Sequence, residues 1–265
     1  MKVLFIGDIF SKVGRQMTEK YLKDIQIKHH IDFTIANGEN VAHGKGINSS
    51  TYEKLVSFGI DAITLGNHFA AKTETNSFYL KAVKMIRPIN IHPSASGVGT
   101  RVFDVNGIKI RVTNILGRAF ITELNPSNPF DAMDELLKTC DEKIHIVDFH
   151  AEATAEKLAF AWNFDGKVTA VIGTHTHVQT ADNRILPQGT GYISDVGMTG
   201  PYNGIIGGRR DSMIYRSRTG LPVKFDVEAS LEGVLCGVVL DIDEENAKTR
   251  SVERIYISPD RVEGI

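Results

Sequence analysis

The chain has 265 residues, with 30 Lys+Arg against 32 Asp+Glu for a formal net charge of −2, 42% hydrophobic residues, 9 His, 2 Cys and 1 Trp. This length can bury a core without disulfides or a structural metal, and the near-zero charge excludes a dedicated polyanion binder, so long nucleic acid is not an expected partner. No apolar run reaches the roughly 18 residues of a membrane span, the opening apolar run is too short for a signal peptide and meets Asp8, and the two isolated cysteines, Cys140 and Cys236, fit a reducing cytoplasm.

Residues 2–6 form a short apolar, β-branched run that ends at Gly7-Asp8, which predicts a buried strand with a carboxylate at its C-terminal end. Met17, Tyr21, Leu22 and Ile25 then recur at helical spacing among charged residues. Residues 31–36 predict a second strand, ending at Asn37-Gly38-Glu39-Asn40, residues 50–58 a helix with a Ser/Thr cap, and residues 60–65 a third strand, ending at Gly66-Asn67-His68. Strand and helix alternate as in a parallel sheet covered by helices.

Two apolar runs, 102–105 and 108–115, flank Asn106-Gly107, the pair that suits both positive-φ positions of a type I′ hairpin turn. Residues 131–138 predict a helix, 144–149 a strand ending at His150, and 154–162 a helix capped by Thr154. Residues 168–172 predict a strand ending at Gly173-Thr174-His175-Thr176-His177. The runs 223–227, 234–242 and 252–257 read as antiparallel strands whose apolar residues face a second sheet or another copy of the chain, which leaves a homo-oligomer open. Without a low-complexity linker or an internal repeat, the expectation is one domain over 1–265, an α/β sandwich of two mixed sheets flanked by helices.

Five predicted strands thus end in a residue able to bind a metal: Asp8; Glu39 with Asn40; Asn67 with His68; His150; and His175 with His177. Each has an ordinary reading as a turn, cap or core residue. Their repetition in chain order is what points to a site, because α/β folds gather such loops at the carboxyl ends of their strands. Hard oxygen and borderline nitrogen donors without a thiolate suit Mn²⁺, Fe²⁺ or Zn²⁺. Seven donors exceed one tetrahedral ion and suit two ions about 3.5–4 Å apart sharing a carboxylate, the arrangement of metal-assisted phosphoester hydrolysis. His29, His30, His43, His92 and His145 lack that context. The first two sit at a helix end, and His145 alternates with apolar residues inside a strand.

These blocks resemble those of the metallophosphoesterase (calcineurin-like) superfamily. The strings Phe33-Thr34-Ile35-Ala36-Asn37-Gly38-Glu39-Asn40, Asp148-Phe149-His150-Ala151-Glu152-Ala153-Thr154 and Asp195-Val196-Gly197-Met198-Thr199-Gly200-Pro201 are similar to its bacterial YmdB-type branch, whose members hydrolyse 2′,3′-cyclic nucleotides at the 2′ position. The resemblance implies that Asp8, Asn40 and His177 bind one metal, Asn67, His150 and His175 the other, and Glu39 both. It implies His68 as the proton donor and a metal-bridging hydroxide as the nucleophile. Two departures stand out. Phe10 occupies the third position of the superfamily's Asp-x-His block, an absence the YmdB-type branch shares, so Asn40 fills the vacancy and the oxygen-rich set favours Fe or Mn over Zn. After Gly66-Asn67-His68, the Thr-Trp-Asp of related proteins is replaced by Phe69-Ala70-Ala71.

The favoured expectation is a cytoplasmic, dinuclear-metal phosphodiesterase acting on a small nucleotide, with Lys45, Arg118 and Lys157 as candidate phosphate contacts. The alternative is a regulatory or scaffold protein whose metal site senses nucleotide and has weak phosphatase activity. A histidine left free beside a full ligand set argues against a purely structural site, which is normally closed. An H-x-H amidohydrolase is disfavoured, because its eightfold barrel needs a βα alternation that the hairpin and late strands break.

Overall fold

The computed structural model of the chain describes residues 1–72 and 78–264. The chain opens with β1 (Lys2–Ile6), β2 (Asp8–Ile9) and α1 (Ser11–His29), followed by β3 (Phe33–Asn37), α2 (Ser49–Ser57), β4 (Ala62–Thr64) and β5 (Met85–Ile86). A hairpin of β6 (Thr100–Val105) and β7 (Ile108–Leu116) leads to α3 (Pro129–Leu137), β8 (Ile144–His150), α4 (Thr154–Asn163) and β9 (Ala170–Thr174). Next come β10 (Arg184–Ile185), β11 (Gly191–Ile193), β12 (Met198–Pro201), α5 (Arg210–Thr219), β13 (Gly233–Ile242), β14 (Thr249–Ile257) and β15 (Val262–Glu263).

Two mixed sheets result. In the first, β1, β3, β4 and β5 run parallel, and β13 joins β1 antiparallel with β14 and β15 beyond it, while β12 pairs with β13 and β2. The second runs β10-β11-β9-β8-β7-β6, parallel through its middle with an antiparallel strand at each edge. The two-residue period of β1 divides its side chains between layers. Val3 and Phe5 pack between the sheets with Ile110, Ile144 and Ile172, whereas Leu4 and Ile6 meet Leu22 and Ile25 of α1 and Leu55 of α2 on the outer face. On the far side of the second sheet, Phe149 stacks on Phe160 of α4 at 4.3 Å, with Met133 of α3 in the same cluster. The order is therefore helix, sheet, sheet, helix, as expected. Among the described residues, no helix is long and apolar enough to cross a membrane.

Local chemistry explains the element ends. Asn106 and Gly107 both take positive φ, 55° and 87°, as a type I′ turn requires. The helix expected at 50–58 is capped instead by Asn48, whose side chain accepts from the Thr51 N–H in a capping box. Thr154 lies inside α4; the cap position is Ala153, with no side-chain bond. The strand expected at 223–227 does not form, and only Val227 bridges Gly208. The apolar residues of β13 fill internal layers: Val238 and Leu240 lie between the sheets and Leu235 and Val239 in the cluster with α1.

Candidate metal centre

The shared direction of β1, β3 and β4 brings their carboxyl ends to one edge, and β8 and β9, parallel to each other, end beside them. All seven sequence-predicted donors meet there. Glu39, 1% exposed, lies at the middle. Its Oε1 is 3.3 Å from His150 Nε2 and 3.3 Å from His68 Nδ1, and its Oε2 accepts the His68 backbone N–H at 2.9 Å. On one flank, Asn40 Nδ2 is 3.1 Å from His177 Nε2, which is 3.7 Å from Asp8 Oδ1. On the other flank, His150 Nε2 is 3.0 Å from both Asn67 Oδ1 and His175 Nδ1. A Cβ at Gly66 would lie 2.3 Å from Glu39 Oε2 and 2.4 Å from His150 Nε2, so the donors close up only over a glycine.

A buried layer aims these side chains. The Thr174 hydroxyl donates to Asp148 Oδ1 at 2.6 Å and so accepts from His150 Nδ1–H at 2.8 Å, which turns Nε2 towards the cluster. Asn37 Nδ2 donates to the other oxygen of Asp148 at 3.0 Å. His175 and His177 adopt φ of 107° and 65°, unusual for residues with a Cβ. Their loop is pinned where Asp8 Oδ2 accepts the His175 N–H at 3.2 Å and Asp195 Oδ2 accepts the Thr176 N–H at 2.8 Å. Lys157, one of three candidate phosphate contacts, instead donates to Asp195 Oδ2 and to the Thr174 carbonyl, each at 2.8 Å, and is fully buried. It holds the loop rather than facing a ligand.

Burial and mutual charge shift the donors in different directions. Burial raises the Asp8 carboxyl above its ordinary range despite the facing His177 and His150. Burial also pushes Glu39 up, but His150 and His68 outweigh it and hold it well below the usual range. Burial lowers His150, yet the carboxylates of Glu39, Asp8 and Asp148 bring it up to about 9. Burial and the His150 charge push His175 down to about 3. The donor atoms of Glu39, His150 and His175 all lie within 4.8 Å of one another. One carboxylate, two amides and three imidazoles around the carboxylate of Glu39 fit divalent cations. Asn40 would have to turn its amide over to offer Oδ1, because its Nδ2 now faces Glu39, Asp8 and His177.

A cavity of about 570 Å³ opens over Glu39, Asn40, His68, His175 and His177. His68 Nδ1 is 2.8 Å from Asn40 Oδ1, which leaves Nε2 as its remaining ring nitrogen. Lys45 lines this cavity; Arg118 does not, and its backbone N–H bonds to Glu156. His43 borders the cavity despite its featureless sequence context, whereas His145 is structural, buried with Nε2 2.8 Å from Thr113 Oγ1. Phe10 is buried edge-on to His177 at 5.5 Å. Phe69 turns into the core near Tyr79, so the altered loop does not place its aromatic ring over the donors.

Sequence reasoning missed two contributors. Glu152 Oε2 lies 3.1 Å from His175 Nε2, the outer carboxylate that orients an inner imidazole, and its only signal was its place two residues after His150. The second is an arm of residues 204–228, which carries Ile206, Arg216 and Phe225 to the cavity and whose one patterned stretch, 223–227, reads as a strand rather than as part of a site.

A family model described as YmdB-like protein matches residues 4–255. The chain is 47% identical over 264 residues to the 2′,3′-cyclic-nucleotide 2′-phosphodiesterase of Bacillus subtilis (strain 168), covering 99% of each chain. A crystal structure of a novel phosphatase of Mycoplasma pneumoniae superposes with a TM-score of 0.94 at 38% identity, over 97% of this chain and 93% of that one. A hypothetical protein of Thermus thermophilus superposes with a TM-score of 0.91 at 36% identity, over 97% of this chain and 99% of that one. The chain belongs to the YmdB-like family.

Proposed function

We propose that this member of the YmdB-like family is a metal-dependent phosphodiesterase, a single domain over 1–265, that opens 2′,3′-cyclic nucleotides at the 2′ position. The observation that carries this reading is the meeting of seven strand-end donors, with Glu39 at their middle and His68 beside them under a nucleotide-sized cavity. The activity named for the Bacillus subtilis relative supports the substrate class. Asp8, Asn40 and His177 would hold one cation, Asn67, His150 and His175 a second, and Glu39 both, with Fe or Mn better matched than Zn to so many oxygens. Bound there, two divalent cations would acidify water and neutralise the phosphoryl oxygens.

The chain's own residues do the rest. Glu39 Oε1 lies 3.3 Å from His68 Nδ1, and Glu39 Oε2 accepts the His68 backbone N–H at 2.9 Å, so one carboxylate fixes the ring. The Nε2–H of that ring then protonates the ribose oxygen that leaves phosphorus, the step that an alkoxide leaving group needs. The formal net charge of −2 favours a small nucleotide over long nucleic acid as the substrate.

Metal analysis of the purified protein, with rates on phosphomonoesters, linear diesters and 2′,3′-cyclic nucleotides, tests the reading. Bound metal and a preference for the cyclic diesters are expected, whereas equal rates on monoesters would remove the cyclic-nucleotide reading. His68→Ala should lower turnover by roughly 10²–10⁴ while metal content stays at the wild-type level. Loss of the metals in that variant would make His68 a ligand rather than the acid.

A further inference from the structure

We propose that Phe225 is the nucleobase platform of the cavity, an inference that rests on the cyclic-nucleotide reading and deepens it. A cyclic nucleotide whose phosphate lies on the donor cluster must direct its base along the cavity, whose wall beside His177 the 204–228 arm supplies through Ile206, Arg216 and Phe225. Phe225 is 45% exposed there, whereas Phe10, on which it packs edge-on at 6.2 Å and 69°, is 2% exposed. Phe10 in turn meets His177 at 5.5 Å and 74°. Two edge contacts thus fix Phe225 relative to the donors while much of its ring stays open.

The backbone on both sides of the ring is tied down. Arg209 N–H donates to the Asp226 carbonyl and Glu228 N–H to the Gly207 carbonyl, each at 2.9 Å, and Gly208 bridges Val227. Gly207 takes a positive φ of 95°, and a Cβ there would lie 2.6 Å from the Phe10 ring, so the arm reaches Phe10 only through a glycine. Phe120 is more exposed, at 83%, but does not border this cavity, so exposure alone does not select Phe225. A held, half-open aromatic face in the same cavity as a phosphate site is what a flat base stacks on, and stacking tolerates any base because each has a π-face.

The test compares kcat/KM for 2′,3′-cyclic AMP with that for glycerol 1,2-cyclic phosphate, which has the same five-membered diester and no base, in the metal-loaded protein. Phe225→Leu should lower the ratio of the two about tenfold, chiefly through KM for the nucleotide. Phe225→Trp should keep the ratio at or above wild type. A general defect in folding or metal loading lowers both rates together and cancels in the ratio. A wild-type ratio in Phe225→Leu, or a loss in Phe225→Trp equal to that in Phe225→Leu, overturns the platform. A wild-type protein that cleaves the glycerol diester but not the nucleotide defeats the substrate reading first, and the platform with it.

Discussion

The donor cluster and the 204–228 arm line one cavity, meeting where the Ile206 carbonyl lies 2.9 Å from His177 Nδ1, and are built in opposite ways. Asp8, Glu39, Asn40 and His150 are at most 1% exposed, and each hangs from the end of a strand whose neighbours pack against it. The arm's helix, α5, buries no residue, and its cavity-facing Ile206 and Phe225 are nearly half exposed. A group that must hold charge at a fixed point needs a surrounding layer that determines its position several times over. A group that only cradles the rest of a substrate tolerates exposed, lightly packed backbone.

The most severe test of that contrast is Lys157→Met, which leaves Asp195 buried without its cation beneath the His175–His177 loop. Breaking such a pair should cost about 3–5 kcal/mol in urea unfolding, and Lys157→Met with Asp195→Asn should recover part of the loss. A single variant as stable as wild type would show that the loop does not depend on its buried support.

Next in size is a pH effect on strand β8, which carries both His145 and His150. Burial and Arg111 push His145 down from 6.5 to about 3, so the folded chain keeps it neutral while the unfolded chain takes up a proton. Its contribution is therefore present above pH 6.5 and is lost as the pH falls towards 3. Between pH 7 and pH 5 the loss is about 2 kcal/mol. His145→Gln should flatten the wild-type pH dependence of unfolding by that amount, and an unchanged slope would remove His145 from the scaffold's pH response.

The smallest effect belongs to the arm. Arg216→Ala should raise KM for a cyclic nucleotide about threefold by removing a cation from the cavity wall, and change stability by less than about 0.5 kcal/mol. A large stability loss would mean that the arm is as tightly built as the cluster, and the contrast would collapse.

The same division governed what could be read in advance. The donors were legible because apolar runs stop abruptly at polar groups, and period-two patterning makes those stops visible. The arm was not. Residues 223–227 alternate in polarity and read as a strand, but no neighbouring strand is in place to pair with them beyond the bridge at Val227. Lys157 read as a candidate phosphate contact. Its burial depends on Asp195, thirty-eight residues further on, which no local pattern encodes.

The sequence by itself determined the layered fold, the five strand ends and the donor types, because local periodicity and residue chemistry carry that information along the chain. Only the tertiary structure decided that Glu39 stands between the two flanks, that Lys157 supports rather than binds, and that Phe225 closes the cavity. Those outcomes depend on which distant backbone segments meet. The meetings are set by long-range bonds, such as those joining Gly207 to Glu228 and Arg209 to Asp226, rather than by any run of neighbouring residues.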